Sequence, residues 1–456
     1  MTAKALGSYW SLNEIESFSD RQLRAELTAE DQQRIAIAQR NLLSAANEKE
    51  VYGLSTGVGA RRFVAVERDL DSCLRLWRAH ALQLGEVVDP ARTRATLLIR
   101  AVQISRGGSG VSPQLAQGLA EAAQSEADSS LPTLRYGVSL GTGDIGSLAA
   151  AALQITESGV QFSPSDGLPF MSSGALTYAD AAITLQSSAR AIDSGIELTG
   201  LIARAVRSTT DHFSAEALHP QHREVREVAE RLREIRGAAP ASRVQEPFSV
   251  RLAPHSHGSV LRAWNAAAEV VEIGVNAAFE NPVVLPHGDV AHVGNFYSVE
   301  LSLAIDGLLR ALAHEASLAA ARLGLLLDSR FTGANDFLSD GTADATGAMM
   351  LEYAASAAVA DIREAAAAHG AYGVNVSQGA EEHAPFTAHA IRRLARSEAA
   401  YRTLLGCIAV ALGRLPDGVA GADALRDSSL DLADRNLSAD VTVAMELLDQ
   451  VRVSVS

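Results

Sequence analysis

The segment GTGDIG, residues 141–146, has the most suggestive spacing for binding or chemistry in the sequence. It satisfies the pattern G-x-G-x-x-G, in which glycines let the backbone approach the pyrophosphate of a dinucleotide. The residues before it, TLRYGVSL (133–140), have the composition of a strand. Asp166 follows near the distance, about 20 residues, expected of a ribose-binding carboxylate. A dinucleotide site and a plain glycine turn before an alanine-rich helix are two interpretations of this segment.

The elements that must position this segment argue against a dinucleotide-binding fold. Such a fold alternates strands with helices, whereas in this chain one helical pattern follows another after residue 146. A lone glycine pattern is a weak signal. The context therefore disfavours a dinucleotide cofactor.

Two pairs of histidines have spacings that occur in metal sites: His219 with His222, and His255 with His257. A zinc site needs a third protein ligand and hydrogen bonds that orient the ligands, and the sequence indicates neither. The run EEH at 381–383 lacks the H-E-x-x-H order of a metalloprotease helix. The sequence predicts no metal site.

Composition favours a helical protein with a small-molecule substrate. Hydrophobic residues make up 47% of the 456 residues, charged residues 20% and aromatic residues 5%. The core must therefore be packed mainly from aliphatic side chains, which suits close-packed helices. The formal net charge of −15 disfavours a nucleic-acid partner, because phosphate binding depends on clustered Lys and Arg.

The sequence also indicates the compartment. Cys73 and Cys407 lie far apart in the chain, whereas secreted proteins usually carry larger, even sets of cysteines. The N-terminus has no apolar signal segment, and no apolar run approaches the ~20 residues that span a bilayer. We expect a cytoplasmic protein with no membrane partner.

Helical patterns dominate the chain. Thr28 and Asp31 have the spacing of a capping box at the start of a helix predicted over 29–48. Glycine-rich breaks follow at 51–62, 105–113 and 136–146. After Gly174 come five long alanine-, leucine- and valine-rich segments, roughly 178–207, 260–275, 298–328, 343–368 and 387–413. We predict a loop-rich N-terminal head at 1–175 and a helical bundle at 176–456.

The segment from Ser298 to Leu327 has apolar residues over most of its helical circumference. Such a helix must be buried nearly all round. Five helices of this kind predict a central bundle that also recruits other copies of the chain.

Several motifs, collinear over almost the whole chain, resemble those of the histidine and phenylalanine ammonia-lyase family, which includes aminomutases. They are VYGLSTGVG (51–59), RGGSGVSP (106–113), the stretch 137–148, VQEPFSVR (244–251) with HG at 257–258, ENP (280–282), GNF (294–296) and SQGAEEH (377–383). The resemblance implies a mainly α fold with a long central helical bundle and a smaller head that carries the active-site segment. It also implies a homotetramer in which several subunits contribute loops to each site.

In that family a central Ala-Ser-Gly triad cyclises to an imidazolone ring whose methylene is an electrophile for the substrate amine. The resemblance places Gly141, Thr142 and Gly143 at this triad. The glycine-flanked turn permits cyclisation, since Gly143 has an unhindered nitrogen. Thr142 can also lose water, but the product carries a methyl group on the carbon to be attacked. The expected cofactor is therefore an imidazolone-type group formed by the chain itself, and otherwise none.

The resemblance assigns further roles. Tyr52 matches the base that removes the β-proton, and Arg251 matches the arginine that binds the substrate carboxylate, for which a planar guanidinium is suited. His80 and Glu381 match side-chain-pocket positions and resemble histidine ammonia-lyases. Phe296 matches an aromatic that shelters the ring. By residue type alone these side chains also fit structural roles: a phenol at a helix end, an ion pair, a buried histidine and a core phenylalanine.

Three positions besides Thr142 depart from the family pattern. Phe248 stands where the family has a tyrosine, and Ser172 where it has an asparagine. Gly379 stands where the family has an asparagine that precedes a Gln-Glu pair. Phe248 and Ser172 are expected to bind the substrate. Gln245, which lies in the same motif as Arg251, is also expected to bind it.

We expect an ammonia-lyase-like enzyme acting on a small amino acid with a polar, histidine-like or tyrosine-like side chain. Two alternatives stay open. One is a ring-free relative that catalyses another acid–base reaction, such as an elimination, a cyclisation or an aminomutase-type rearrangement. The other is a non-catalytic binding homologue, because folds often serve other functions.

Overall fold

The computed structural model describes residues 3–219, 221–367, 373–415, 419 and 431–449. The fold is mainly helical, which confirms the predicted class. Strands in the described ranges form only two-stranded sheets: a parallel pair and two antiparallel pairs. Across these same ranges, none of the helices combines the length and the hydropathy needed to cross a membrane.

The chain divides into two compact units, each built from several sequence segments. The first unit comprises residues 1–186, 267–303 and 368–391, and the second comprises 187–266, 304–367 and 392–456. The predicted boundary between a head at 1–175 and a bundle at 176–456 stays a prediction.

The described residues form α-helices of 4 to 31 residues and strands of 2 to 4 residues. The helices are α1 (Leu12–Ser19), α2 (Ala29–Glu48), α3 (Leu70–His80), α4 (Pro90–Ser105), α5 (Pro113–Ala123), α6 (Ile145–Glu157), α7 (Gly167–Met171), α8 (Ala175–Ala205), α9 (Arg223–Arg236), α10 (Phe248–Arg251), α11 (Ala253–Val275), α12 (Val299–Leu326), α13 (Ser329–Thr332), α14 (Met350–Ala365), α15 (Thr387–Gly413) and α16 (Ser438–Asp449). The strands are β1 (Ala3–Ala5), β2 (Arg24–Glu26), β3 (Val283–Val284), β4 (Val290–Ala291), β5 (Gly373–Val376) and β6 (Glu381–His383).

Helix α2 begins and ends where the sequence predicted. The Thr28 side chain accepts a hydrogen bond from the Asp31 backbone, and the Asp31 carboxylate accepts one from the Thr28 backbone. This capping box satisfies two of the N–H groups that a helix start leaves unpaired. Leu42 and other apolar residues of α2 pack on Val51 and Leu54 of the following glycine-rich loop and on the β3–β4 hairpin. The loop is therefore attached to a rigid helix.

The five predicted long helices are α8, α11, α12, α14 and α15. Helix α14 begins at Met350 rather than near 343, since Gly347 has a positive φ of 53° and its N–H donates to the Asp434 carboxylate. The last residue of that predicted segment, 368, lies outside the described residues.

Helix α12 is only partly buried in the single chain, so its predicted burial all round, which requires other copies of the chain, stays a prediction. Leu301, Ile305, Leu308 and other apolar residues are buried, but Leu303 is 61% exposed. Residues 300, 303, 310 and 314, which are exposed, are spaced so that they share one helical face.

Candidate active site

A cavity of about 390 Å³ in the first unit brings together several of the predicted residues. Its wall comes from the loop after α2, the end of α3, the turn before α6 and the segment that leads into β6. The lining residues include Tyr52, His80, Thr142, Gly143 and Glu381. These five were predicted on four separate sequence segments.

The loop after α2 folds back so that it holds its own tyrosine. The Tyr52 hydroxyl oxygen accepts a hydrogen bond of 2.7 Å from the Gly59 N–H, and the Tyr52 N–H donates to His292 Nε2 at 3.1 Å. Gly59 has φ +54°, and a Cβ there would lie 2.2 Å from the Ser377 hydroxyl oxygen. Glycine is therefore required for the close approach of this loop to the segment before Glu381.

Burial raises the pKa of the Tyr52 phenol, and the Glu381 carboxylate raises it too, whereas the Gly59 N–H and Arg62 lower it. The phenol is thus neutral at ordinary pH unless a further positive charge approaches. A base in this position depends on what binds beside it.

His292 was not predicted as part of the site. Burial lowers the pKa of its imidazole, and Lys49 lowers it further, so the neutral ring is favoured and can accept the Tyr52 N–H. Lys49 itself bonds to the Asp289 carboxylate and to the Val290 carbonyl, which ties the start of the loop to the β3–β4 hairpin.

The Gly141-Thr142-Gly143 triad forms a compact turn. Gly141 has φ +85° and Gly143 has φ +104°, values that favour glycine. The Thr142 hydroxyl donates to Glu381 Oε2 at 3.3 Å. A threonine oxygen and a carboxylate therefore meet at the cavity wall.

The turn is anchored on the side of α8 by Asp144. The buried Asp144 carboxylate accepts hydrogen bonds from the Thr177 N–H at 2.7 Å and the Thr177 hydroxyl at 2.8 Å. Burial raises the pKa of this carboxyl, and hydrogen bonds from Ser139 and Thr177 lower it. The Asp144 N–H also donates to the Ser173 carbonyl. The residue after the triad is therefore fixed through its side chain and through its backbone.

The residues before the triad form no strand, and Asp166 has a different role from ribose binding. Its carboxylate accepts hydrogen bonds from the Ser112 N–H, the Ser112 hydroxyl and the Ser163 N–H. Burial raises the pKa of Asp166 to about 6. The dinucleotide interpretation has no support in this arrangement.

His80 ends α3 and lines the cavity. Its Nδ1 lies 2.8 Å from the Leu76 carbonyl oxygen. A carbonyl can only accept, so Nδ1 carries hydrogen and Nε2 of the neutral ring is left as an acceptor. This fixes the tautomer that a ligand in the cavity meets.

Three predicted residues of the first unit, Gly141, Ser172 and Phe296, lie outside the cavity wall. Ser172 is buried and bonds through its hydroxyl to the N–H and carbonyl of Asn281, so it joins the ends of α7 and the ENP motif. Phe296 is half-buried. The neighbour of Phe296, Tyr297, bonds to His383 through its hydroxyl at 2.7 Å.

The other three predicted residues belong to the second unit. Gln245 and Phe248 are exposed, and the Arg251 guanidinium lies over the Phe248 ring, 4.6 Å from its centre. Stacking on an aromatic ring orients a guanidinium without neutralising its charge.

Ser298 was also not predicted as part of the site. Its N–H and its hydroxyl both donate to the Gly141 carbonyl oxygen, at 3.1 and 2.9 Å. The only sequence signal is its place two residues after the GNF motif.

Among the residues that the structure describes, no group of three metal-binding side chains occurs.

A family model for aromatic amino acid lyases matches residues 10–418 of the chain. The histidine ammonia-lyase of Symbiobacterium thermophilum is 27% identical over 494 residues, which cover 98% of this chain and 97% of that protein. The histidine ammonia-lyase of Streptomyces coelicolor is 29% identical over 416 residues, covering 81% of this chain and 79% of that protein.

Solved structures have the same fold. An ergothioneine-degrading enzyme, ergothionase, from Treponema denticola superposes with a TM-score of 0.89 at 21% identity, over 98% of both chains. A phenylalanine aminomutase from Pantoea agglomerans superposes with a TM-score of 0.88 at 21% identity, over 100% of both chains.

Proposed function

Because this chain belongs to the aromatic amino acid lyase family, we propose that it is a carbon–nitrogen lyase that eliminates ammonia from a histidine-like amino acid. The observation that carries the proposal is the meeting of Tyr52, His80, Thr142 and Glu381 in one cavity. These side chains supply a proton acceptor, a polar contact for the substrate side chain and a reactive hydroxyl between two glycines.

Tyr52 is the proposed base for the proton on the carbon next to the amine-bearing carbon. The Gly59 N–H stabilises the phenolate form, while burial and Glu381 oppose it. A cationic substrate amine would favour the phenolate, since an opposite charge nearby favours the ionised form. Substrate binding therefore helps to prepare the base.

His80 and Glu381 give the cavity its polar character. In the tautomer that keeps hydrogen on Nδ1, His80 Nε2 can accept an N–H from an imidazole or an O–H from a phenol. Glu381 can accept a hydrogen bond from the same substrate ring or exchange a proton with Thr142, which contacts it at 3.3 Å. Both residues favour a polar ring over a phenyl group.

The triad fits the prosthetic group that the family implies. Both glycines adopt left-handed conformations, and the Gly141 carbonyl receives two hydrogen bonds. When formed, the imidazolone group would supply an electrophile for the substrate amine and so make it a better leaving group.

We propose a homotetramer that completes the site. Arg251 stacks on an exposed Phe248, and one face of α12 is exposed in the single chain. Burial of this face against another copy would remove apolar surface such as Leu303 from water. The same assembly would let Arg251 and Gln245 of one copy bind the substrate carboxylate at the site of another.

A second candidate is a ring-free elimination, and Thr142 favours it. The methyl group of threonine would crowd the carbon on which an amine must attack. A quaternary ammonium needs no such attack, because its nitrogen has no lone pair and is already a cationic leaving group. Ergothioneine, which the Treponema enzyme degrades, carries a trimethylammonium group. This substrate class therefore suits Tyr52 acting as a base without the ring.

The experiment is a turnover assay with histidine, tyrosine, phenylalanine and ergothioneine. Release of ammonia or trimethylamine, the α,β-unsaturated acid and any β-amino acid are measured by mass spectrometry. We expect ammonia from histidine, and Tyr52→Phe should lower the rate by about 10² to 10⁴.

The matched control is Tyr9→Phe, which removes an exposed hydroxyl bonded to Glu272 and should leave the rate unchanged. Release of trimethylamine but not ammonia would favour the second candidate. Full activity of Tyr52→Phe would contradict both candidates.

A further inference from the structure

We propose that Ser298 activates the Gly141 carbonyl for ring closure by the Gly143 nitrogen. The inference rests on the proposed function, which the ring would serve. Ser298 lies outside the 141–143 triad, and its proposed role is to assist the cyclisation of the triad.

Two donors from one residue meet the same carbonyl oxygen. The Ser298 N–H lies 3.1 Å and the Ser298 hydroxyl 2.9 Å from the Gly141 oxygen, and Ser298 is buried. Two preorganised donors on a carbonyl make its carbon more electrophilic and stabilise the negative charge that develops on attack. Burial strengthens the effect, because water does not compete for the oxygen.

Thr387 holds the Ser298 hydroxyl in place. The Thr387 hydroxyl oxygen lies 2.8 Å from Ser298 Oγ and 3.0 Å from the Ser298 carbonyl oxygen. A Cβ on Gly141 would lie 2.7 Å from the same Thr387 oxygen and 2.8 Å from Pro385 Cγ. The space next to Gly141 is therefore occupied by the residues that orient Ser298, which explains why glycine stands there.

The peptide around the carbonyl is fixed while the attacking nitrogen is free. Leu140 accepts a hydrogen bond from the Phe386 N–H at 2.8 Å, and the Asp144 N–H donates to the Ser173 carbonyl at 2.7 Å. Among the described residues, none accepts a hydrogen bond from the Gly143 nitrogen. The nitrogen can approach the Gly141 carbon without first losing a partner.

The proposed step consists of two dehydrations. A bond forms between the Gly143 nitrogen and the Gly141 carbonyl carbon, and the Gly141 carbon–oxygen bond breaks. That oxygen leaves as water with the hydrogens of the Gly143 and Thr142 nitrogens, and Ser298 relays a proton to it and is restored. The second water takes the Thr142 hydroxyl and the Thr142 Cα hydrogen. Neither dehydration needs an oxidant or a reductant.

Ser302 provides a matched control. It lies one helical turn further along the chain, is buried, and donates its hydroxyl to the Pro385 carbonyl at 2.8 Å rather than to the Gly141 carbonyl. Ser298→Ala and Ser302→Ala each remove one buried serine hydroxyl that bonds to a carbonyl. A general loss of packing would affect both variants.

The experiment follows the peptide that contains residues 141–143 by mass spectrometry at successive times after synthesis. Borohydride treatment adds a second readout, because it modifies only protein that carries an electrophile. Wild type and Ser302→Ala should lose two waters. Ser298→Ala should keep its full mass or close the ring about a hundredfold more slowly.

Ring closure in Ser298→Ala at the wild-type rate would overturn the inference. If this variant does not fold, as judged by circular dichroism, Thr387→Val takes its place and the same criterion applies. A wild-type protein that keeps its full mass but releases amine would also overturn the inference, while the proposed lyase function would stand. A wild-type protein that closes the ring but releases no amine from any substrate would overturn the proposed function alone.

Discussion

Gly141→Ala should destabilise the protein, although alanine is the residue that the family's triad has at this position. Gly141 has φ +85°, and a Cβ there would lie 2.7 Å from Thr387 Oγ1 and 2.8 Å from Pro385 Cγ. The left-handed conformation costs about 1–2 kcal/mol for alanine. Overpacking a close contact costs a further ~1–3 kcal/mol. The expected total is about 2–5 kcal/mol.

Gly159→Ala isolates the conformational part of this cost. Gly159 has φ +98°, and no atom lies within 4 Å of a Cβ built there. This variant should lose only about 1–2 kcal/mol. Thr387→Ala in the Gly141→Ala background should recover part of the steric cost, because it removes one of the crowding atoms.

The assay is thermal unfolding of wild type and the variants at one protein concentration, with chemical denaturation as a second measure. We expect Gly141→Ala to unfold clearly below Gly159→Ala. Equal unfolding midpoints for the two single variants would refute the argument that Thr387 and Pro385 fill the space next to Gly141.

Three further predictions concern His257, His292 and Arg100. Burial lowers the pKa of His257 to about 4 from its usual 6.5, so its neutral ring stabilises the fold above about pH 6.5, and this is lost as the pH falls towards 4. The loss between pH 7 and pH 5 should be about 2 kcal/mol and smaller in His257→Gln, measured by unfolding at these two pH values. His292→Ala should lower the turnover rate without changing the unfolding midpoint much, since it frees the Tyr52 N–H; an unchanged rate would contradict this role. Arg100→Met should destabilise the protein by about 3–5 kcal/mol in denaturation, because the fully buried Glu280 loses its partner; wild-type stability would contradict it.

The parts of the fold that the sequence predicted are those determined by local pattern. The capping box at Thr28 and Asp31 predicted the start of α2, and the alanine-rich segments predicted the long helices, because both signals lie within one helix. Tyr52, His80 and Glu381 were placed by their motifs, and the structure brings them to one cavity.

The parts that the sequence did not predict depend on contacts between distant segments. Ser298 lies 157 residues from Gly141, and His292 lies 240 residues from Tyr52, so no local pattern relates them. The exposed face of α12 could not be predicted from its apolar pattern, since a helix that packs on other copies of the chain has the same pattern as one buried in a single core. Ser172, chosen because it stands where the family has an asparagine, bonds to the Asn281 backbone.

We propose that Thr142, within its glycine turn, is the reacting centre of a carbon–nitrogen lyase. The most direct test measures, in one preparation of wild-type protein, the mass of the peptide containing residues 141–143 and the release of ammonia from histidine. We expect a peptide lighter by two waters together with ammonia release, and the absence of both in Thr142→Ala. A peptide of full mass in a wild-type protein that still releases ammonia would contradict it.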